Sequence, residues 1–371
     1  MTSAVDPITI RAAVQRFPLL GRPRPACPAL TDRVTEVTEI AKMAAAQNDN
    51  GMAEAAHALN KAALIASDCA LPDLARQWCW RHINIYRRRD SLTALQASYL
   101  LEPVLNLARL QIRADNGRPA LHLLAAMFEA VTAGTNLVID GRTLPLNNLT
   151  GTRDELGKLR QWAWLQHLSE GIRVLALAGR WDDAVEHATT LNGIGDHLME
   201  GRQAAIIAHL MHEDTEAASA ILDVSTITQP WEQQVDTCLK TMCATPETLG
   251  QQASAMVEHF LAHKPIAGYA VYRVRWGLTA AVLSSEHDVA TAQHLLRHMA
   301  DEILDAPDGY AAQEVLGHRT ALHLRKPHEQ ALTHVVTAAG LGAGAMPEAT
   351  LRTLHDAVEI ATDVLTSAVG S

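Results

Sequence analysis

Aromatic residues are scarce. Three Phe, five Tyr and seven Trp in 371 residues cannot fill the core of a β-sandwich or barrel, which leans on aromatic and β-branched packing. Cysteine is sparse too: five thiols, an odd number, form no disulfide framework and suit a reducing compartment. No stretch reaches the ~18 uninterrupted apolar residues that a membrane span requires. The opening Met1-Thr2-Ser3-Ala4-Val5-Asp6 lacks the basic start and apolar run of a signal peptide. Basic residues are the minority, 31 against 41 acidic, and a net charge of −10 argues against non-specific nucleic-acid binding. The expectation is a soluble, cytoplasmic chain that touches neither membrane nor nucleic acid, although the run Arg87-Arg88-Arg89 offers a contact for an acidic partner.

The common catalytic signatures are missing as well. There is no His-Glu-x-x-His, no phosphate-cradling Gly-x-x-x-x-Gly-Lys, no Cys-x-x-Cys and no Gly-x-Ser-x-Gly. Gly340, Gly342 and Gly344 follow a predicted helix rather than a strand, so they read as a flexible connector and not as a dinucleotide turn. His259 and His263, like His294 and His298, stand four apart on one helix face, but zinc needs a third ligand, and both pairs read as solvated. Cys27, Cys69, Cys79, Cys238 and Cys243 lack ligand spacing and read as small buried hydrophobes. No cofactor and no metal are expected.

What is present is alanine and leucine in a 3.6-residue rhythm, which takes over at Thr31 and scarcely stops. The pattern predicts helices at 31–47, 50–68, 72–89, 93–115, 118–133, 153–179, 181–192, 196–212, 214–223, 231–243, 247–263, 267–284, 287–304, 309–323, 327–339 and 347–368. Thr31, Asp73, Ser91, Thr152, Asp182 and Thr245 stand where N-caps belong, and Pro72, Pro119 and Pro246 near first turns. Residues 1–30, with Pro18, Pro23, Pro25 and Pro28, read as an irregular N-terminal segment. Asp140-Gly141 between two short apolar runs is a type I′ hairpin signal, so the insertion over 134–150 is a small β-hairpin or ordered loop.

The helices pair, and the pairs resemble one another. A turn followed by an Ala-centred amphipathic helix recurs at Ala120, Ala184, Ala218 and Ala292. Ala184 and Ala218 lie 34 apart, Ala218 and Ala292 lie 74 apart, and Ala56, Ala120 and Ala184 are spaced by 64. A period of roughly 34–37 is one helix–turn–helix repeat, whose small Ala lets the second helix approach its partner closely. On these turns and alanines, residues 50–305 resemble tetratricopeptide-like proteins. The resemblance implies an all-α, right-handed superhelix of antiparallel helix hairpins (an α-solenoid) over 31–345, with a C-terminal capping helix over 346–371.

Within that frame, Glu102, Asn106, Arg109 and Arg113 form one continuous polar line on a helix. Arg offers a planar fork for a carboxylate and Asn pairs with a peptide amide, so the line could grip an extended peptide; it could equally be a solvated face. Tyr269, Tyr272, Arg273 and Trp276 share another face, an arrangement that suits either interface anchors or core. Trp78, Trp80, Arg81, His82, Tyr86 and Arg87 put rings and cations on several faces of one helix, not all of which can be buried. Trp164 and His167 pair an indole with a candidate general base.

A narrower resemblance rests on Leu101-Glu-Pro-Val-Leu-Asn-Leu-Ala-Arg-Leu110, Ile139-Asp-Gly-Arg142, Gly193-Ile-Gly-Asp196 and Glu200-Gly-Arg-Gln203. These segments resemble actinobacterial helical proteins that serve as accessory proteins of ribosomal-peptide modification, among them stand-alone lanthionine cyclases. This implies a peptide or protein partner (a precursor peptide or a modifying enzyme) held in a concave groove. It also implies an alternative: zinc-independent addition of a Cys thiol to a dehydroamino acid. There His82 or His167 would exchange the proton, and Arg109 or Arg81 would hold the enolate.

Overall fold

Helix-forming Ala and Leu dominate the architecture of the computed structural model, which describes residues 5–47, 51–318 and 324–370. In chain order the helices are α1 (Pro7–Val14), α2 (Leu30–Ala46), α3 (Met52–Asp68), α4 (Pro72–Tyr86), α5 (Ala94–Arg113), α6 (Gly117–Ala133), α7 (Arg153–Leu177), α8 (Trp181–Thr190) and α9 (Glu200–Met211). They continue as α10 (Thr215–Asp223), α11 (Pro230–Met242), α12 (Leu249–Ala262), α13 (Ala270–Ser284), α14 (Val289–Asp305), α15 (Gly309–Leu316), α16 (Lys326–Ala338) and α17 (Glu348–Gly370). Four short strands join them: β1 (Leu92–Thr93), β2 (Leu137–Ile139), β3 (Arg142–Leu144) and β4 (Leu149–Thr150). The all-α expectation holds, and the helices match the expected ones closely; the part expected over 319–323 lies outside the described residues. Thr152 caps as expected, whereas Thr93, not Ser91, caps α5 in a capping box with Gln96. Every repeat alanine, Ala56, Ala120, Ala184, Ala218 and Ala292, is fully enclosed.

The chain forms two compact units: unit I is Ala29–Gly171 with Gly340–Ser371, and unit II is Met1–Pro28 with Ile172–Ala339. This departs from the single array expected over 31–345.

In unit I, α2 to α6 pack each against the next, and α17 lies on α2, α3 and α4. Leu354, Ala357, Val358, Ala361 and Leu365 form the buried stripe of α17. The C-terminal helix therefore closes the beginning of unit I instead of capping a final repeat. The hairpin is present, β2 pairing antiparallel with β3. Asp140 and Gly141 both have positive φ (50° and 71°), as the expected turn requires. Arg142 stacks on Trp80 at 4.3 Å and Asp140 pairs with Arg76, so the insertion is pinned to α4. The parallel pair β1–β4 ties its other end to the start of α5. The glycine-spaced stretch is not a flexible connector: the Gly342 N–H donates to the Asp68 carbonyl at 2.8 Å and the Gly344 N–H to that of Cys69 at 2.9 Å.

In unit II, α8 packs on α9, α9 on α10, and α10 on α11, while α13 sits among α11, α12, α14, α15 and α1. Enclosed on so many sides, α13 buries nearly every residue from Tyr272 to Ser284. Gly277 permits this approach, since a Cβ there would meet the Met299 sulfur at 2.4 Å.

Candidate functional site

The polar line on α5 exists, but it is tied to neighbouring helices. Arg109 donates to Glu170 of α7 at 2.7 Å, and Arg113 donates to Asp68 at the end of α3 at 2.8 Å. Asp68 also pairs with Arg33. Asn106 is buried and donates to Asn60, leaving its own carbonyl oxygen without a hydrogen-bond partner. Burial pushes the Glu102 carboxyl above its usual range, and Arg109 offsets this only in part. The Arg109 and Arg113 side chains stay 37% and 41% exposed, so the line is a half-open seam whose cations already have carboxylate partners.

The other expected site residues fare differently, and packing is the reason. His82 is 1% exposed, makes no hydrogen bond, and is held neutral by burial with its pKa pushed down to about 3. It cannot exchange protons with a bound peptide. Arg81 pairs through both terminal guanidinium nitrogens with Glu359 of α17. Of the rings and cations on α4, not all are buried, as expected: Trp78, Trp80, His82 and Tyr86 are enclosed because α3, α5 and α17 cover them, while Arg81 and Arg87 stay half-buried. His167 is half-buried with its ring 5.7 Å from Phe128, and Trp164 is half-buried.

The Tyr/Arg/Trp face of α13 is core and not a binding wall. Tyr272 is buried and donates its hydroxyl to the Trp231 carbonyl at 2.9 Å. Arg273 forks onto Glu302 at 2.8 and 2.7 Å and stacks on Phe260 at 4.1 Å. Trp276 lies edge-on to Phe260 at 4.8 Å, inside the same cluster. Only Tyr269, just before α13, stays half-buried at the surface.

His259 and His263 are not the solvated pair expected. Their rings stack on each other at 4.4 Å and meet Trp276 edge-on at 5.7 and 6.0 Å, and burial with the neighbouring His263 lowers the pKa of His259. Among the described residues no group of three or more His, Cys, Asp or Glu is placed to hold a metal. All five cysteines are buried thiols outside any disulfide, as expected; burial pushes Cys79 up to about 12 and Cys243 up to about 11. A cleft of about 130 Å³ between the hairpin insertion and α7 is smaller than a drug-sized ligand needs.

What the sequence reading missed lies in residues 5–28 of unit II. Pro7–Val14 is helical, and Val5, Ile10, Ala13, Val14, Phe17, Leu19 and Cys27 are all buried. From Leu19 to Cys27 the chain has no regular secondary structure and is held by its neighbours. Gln203 of α9, with no exposure at all, accepts from the Leu19 N–H at 2.8 Å and donates to the Leu19 carbonyl at 2.7 Å. One turn earlier on the same helix, Glu200 (2% exposed) pairs with Arg22 at 2.6 Å. The Arg24 N–H donates to the Gly268 carbonyl at 2.7 Å, and its guanidinium lies 4.0 Å from the centre of the Tyr310 ring. At the start of α15, Asp308 accepts from the Cys27 N–H at 3.1 Å and the Gly309 N–H returns a bond to the Cys27 carbonyl at 2.8 Å.

Gly21 is pressed so closely to Trp231 that a Cβ would lie 2.2 Å from the indole Cγ. Glu200 and Gln203 stand three apart, which puts them on one helix face, a signal the sequence did contain. Gly201, between them, lets α9 approach the Gly193 carbonyl, where a Cβ would come within 2.4 Å. Arg202 ties the Gly195 and Ile221 carbonyls together. The segment Glu200-Gly-Arg-Gln203 thus alternates gripping and bracing positions.

Compared with protein-family models, with curated proteins and with solved structures, the chain matches none.

Proposed function

We propose that this chain is a peptide-binding helical-repeat protein of tetratricopeptide-like type, whose stacked helix pairs hold an extended peptide or protein segment. One observation carries the reading: unit II holds nine consecutive residues without regular secondary structure, Leu19 to Cys27, by main-chain hydrogen bonds to buried side chains. A helix satisfies its own N–H and C=O groups, so a wall that packs only helices has no need of buried side chains that bond a neighbour's main chain. Gln203 and Asp308 supply the donor and acceptors that an extended backbone lacks, as in other modes of extended-peptide recognition. The resemblance to accessory proteins of ribosomal-peptide modification would make the ligand a precursor peptide.

The cyclase alternative draws less support from the geometry. It asks for a reachable base and an uncommitted cation, whereas of its two candidate bases His82 is enclosed and His167 half-buried, and both candidate cations, Arg81 and Arg109, are ion-paired. The test is an array of 12-residue peptides probed with the full-length chain carrying Gly21→Val, which displaces residues 19–27 by collision with Trp231, and with the same chain also carrying Gln203→Leu. Selective capture by the first, lost in the second, is expected; no capture, or capture indifferent to Gln203, would remove the proposal.

A further inference from the structure

Resting on that reading, we infer that residues 17–28 are a built-in competitor, and that the wall beneath them takes in trans an extended, proline-punctuated basic peptide of the same pattern. The specificity follows from what each wall group touches. The two bonds from Gln203 read backbone only, but they fix the register by seating Leu19, which is buried, at the apolar end. Three residues on, Glu200 is a carboxylate almost without solvent; a charge in that setting demands a cation, and Arg22 provides it from a side chain that remains 42% exposed. Two residues further, Tyr310 offers a ring face to a second guanidinium, that of Arg24. Asp308 and Gly309 then take one N–H and one C=O at a small buried residue, Cys27.

Between these fixed points stand Pro23 and Pro25, which lack an N–H and favour an extended backbone, so nothing between the anchors is left unbonded on their account. The ligand class is therefore an apolar residue, then cations at the third and fifth positions after it, with prolines between, then a small residue at the eighth. In a chain of net charge −10 a buried carboxylate selects against acidic partners and draws basic ones.

The experiment uses the full-length chain and a labelled synthetic peptide of residues 17–28, Phe-Pro-Leu-Leu-Gly-Arg-Pro-Arg-Pro-Ala-Cys-Pro, with fluorescence anisotropy as the readout. Gly21→Val undocks the resident segment by collision with Trp231 while leaving Gln203, Glu200 and Asp308 untouched; Arg22→Glu undocks it by charge. Hydrogen exchange at the Leu19 and Cys27 amides reports the undocking. Both variants are expected to bind the peptide at least tenfold more tightly than the parent. A peptide with Glu in place of its first Arg is expected to lose at least tenfold on Gly21→Val.

Equal binding by parent and variants would overturn the competitor and leave the peptide-binding reading standing. Undocked variants that bind no peptide would overturn both. Amides that stay protected in both variants would show a permanent structural strap and overturn the competitor. A concentration-dependent dimer of the parent with exchanged segments would overturn the external partner in favour of a second copy.

Discussion

Units I and II are both closed by a terminal segment of the chain, and they are closed in opposite ways. Unit I is closed by a helix, α17, which satisfies its own backbone and presents an apolar stripe to α2, α3 and α4. Unit II receives a segment that is helical only over Pro7–Val14 and then runs on without regular structure to Cys27. A chain that forms no internal ladder must find a partner for each buried N–H and C=O. That requirement explains why unit II carries Gln203 and Asp308 in its interior, fully bonded. Unit I also buries carboxylates, but Asp68 and Glu170 there take the guanidinium groups of Arg113 and Arg109, and His82 lies as a lone imidazole in apolar surroundings. A helical closure needs shape; an extended one needs chemistry, and chemistry can be selective.

The contrast can be broken first at α17. Leu365→Ala removes a fully buried side chain from the helical closure, and a loss of about 3 kcal/mol in urea unfolding is expected. A loss near zero would mean that α17 does not close unit I. Next in size is Gln203→Leu, which keeps the bulk but strands the Leu19 N–H and carbonyl. It should cost about 2 kcal/mol and release the Leu19 amide to exchange, while α17 amides stay protected.

Acid sharpens the comparison further. Folded His82 stays neutral down to about pH 3, whereas the unfolded chain takes up the proton below about 6.5. The stability that His82 contributes is therefore present above pH 6.5 and is lost as the pH falls from there towards 3, by up to ~1.4 kcal/mol per pH unit. His82→Leu should flatten that slope and, by deleting two unbonded nitrogens, should not lower stability at pH 7. Unit II keeps its own acid response through His318, lowered to about 4 by burial and by Arg16, so part of the slope should survive the substitution. The smallest effect is expected from Arg109→Ala: about 1 kcal/mol, because the guanidinium is more than a third exposed although Glu170 is buried.

How much of this was legible in the sequence depended on the distance over which each signal acts. The helices, the Asp140-Gly141 turn and the close-packed alanines were readable because periodicity and turn chemistry are local. The α5 line was found correctly as a face. What that face meets, Asp68 and Glu170, was not, since the partners lie 45 and 61 positions away. Tyr272, Arg273 and Trp276 looked like anchors because aromatic and Arg residues mark interfaces and cores alike, and only the crowding of α13 assigns them to the core. The N-terminal segment looked irregular because its prolines exclude helix. That reading holds for Leu19 to Cys27 but missed the helix over Pro7–Val14, and it carried no signal of the residues that hold the segment.

The sequence by itself determined the class of structure, all-helical with one small hairpin. Backbone hydrogen bonding within a helix spans four residues, and side-chain volume at the alanine positions speaks for itself. Only the tertiary structure decided that the last helix packs on α2, and that a proline-rich leader lies against a carboxamide and two carboxylates. Cys27 and Asp308 lie 281 positions apart and α2 and α17 further still, and contacts over such separations leave no periodic trace in either segment.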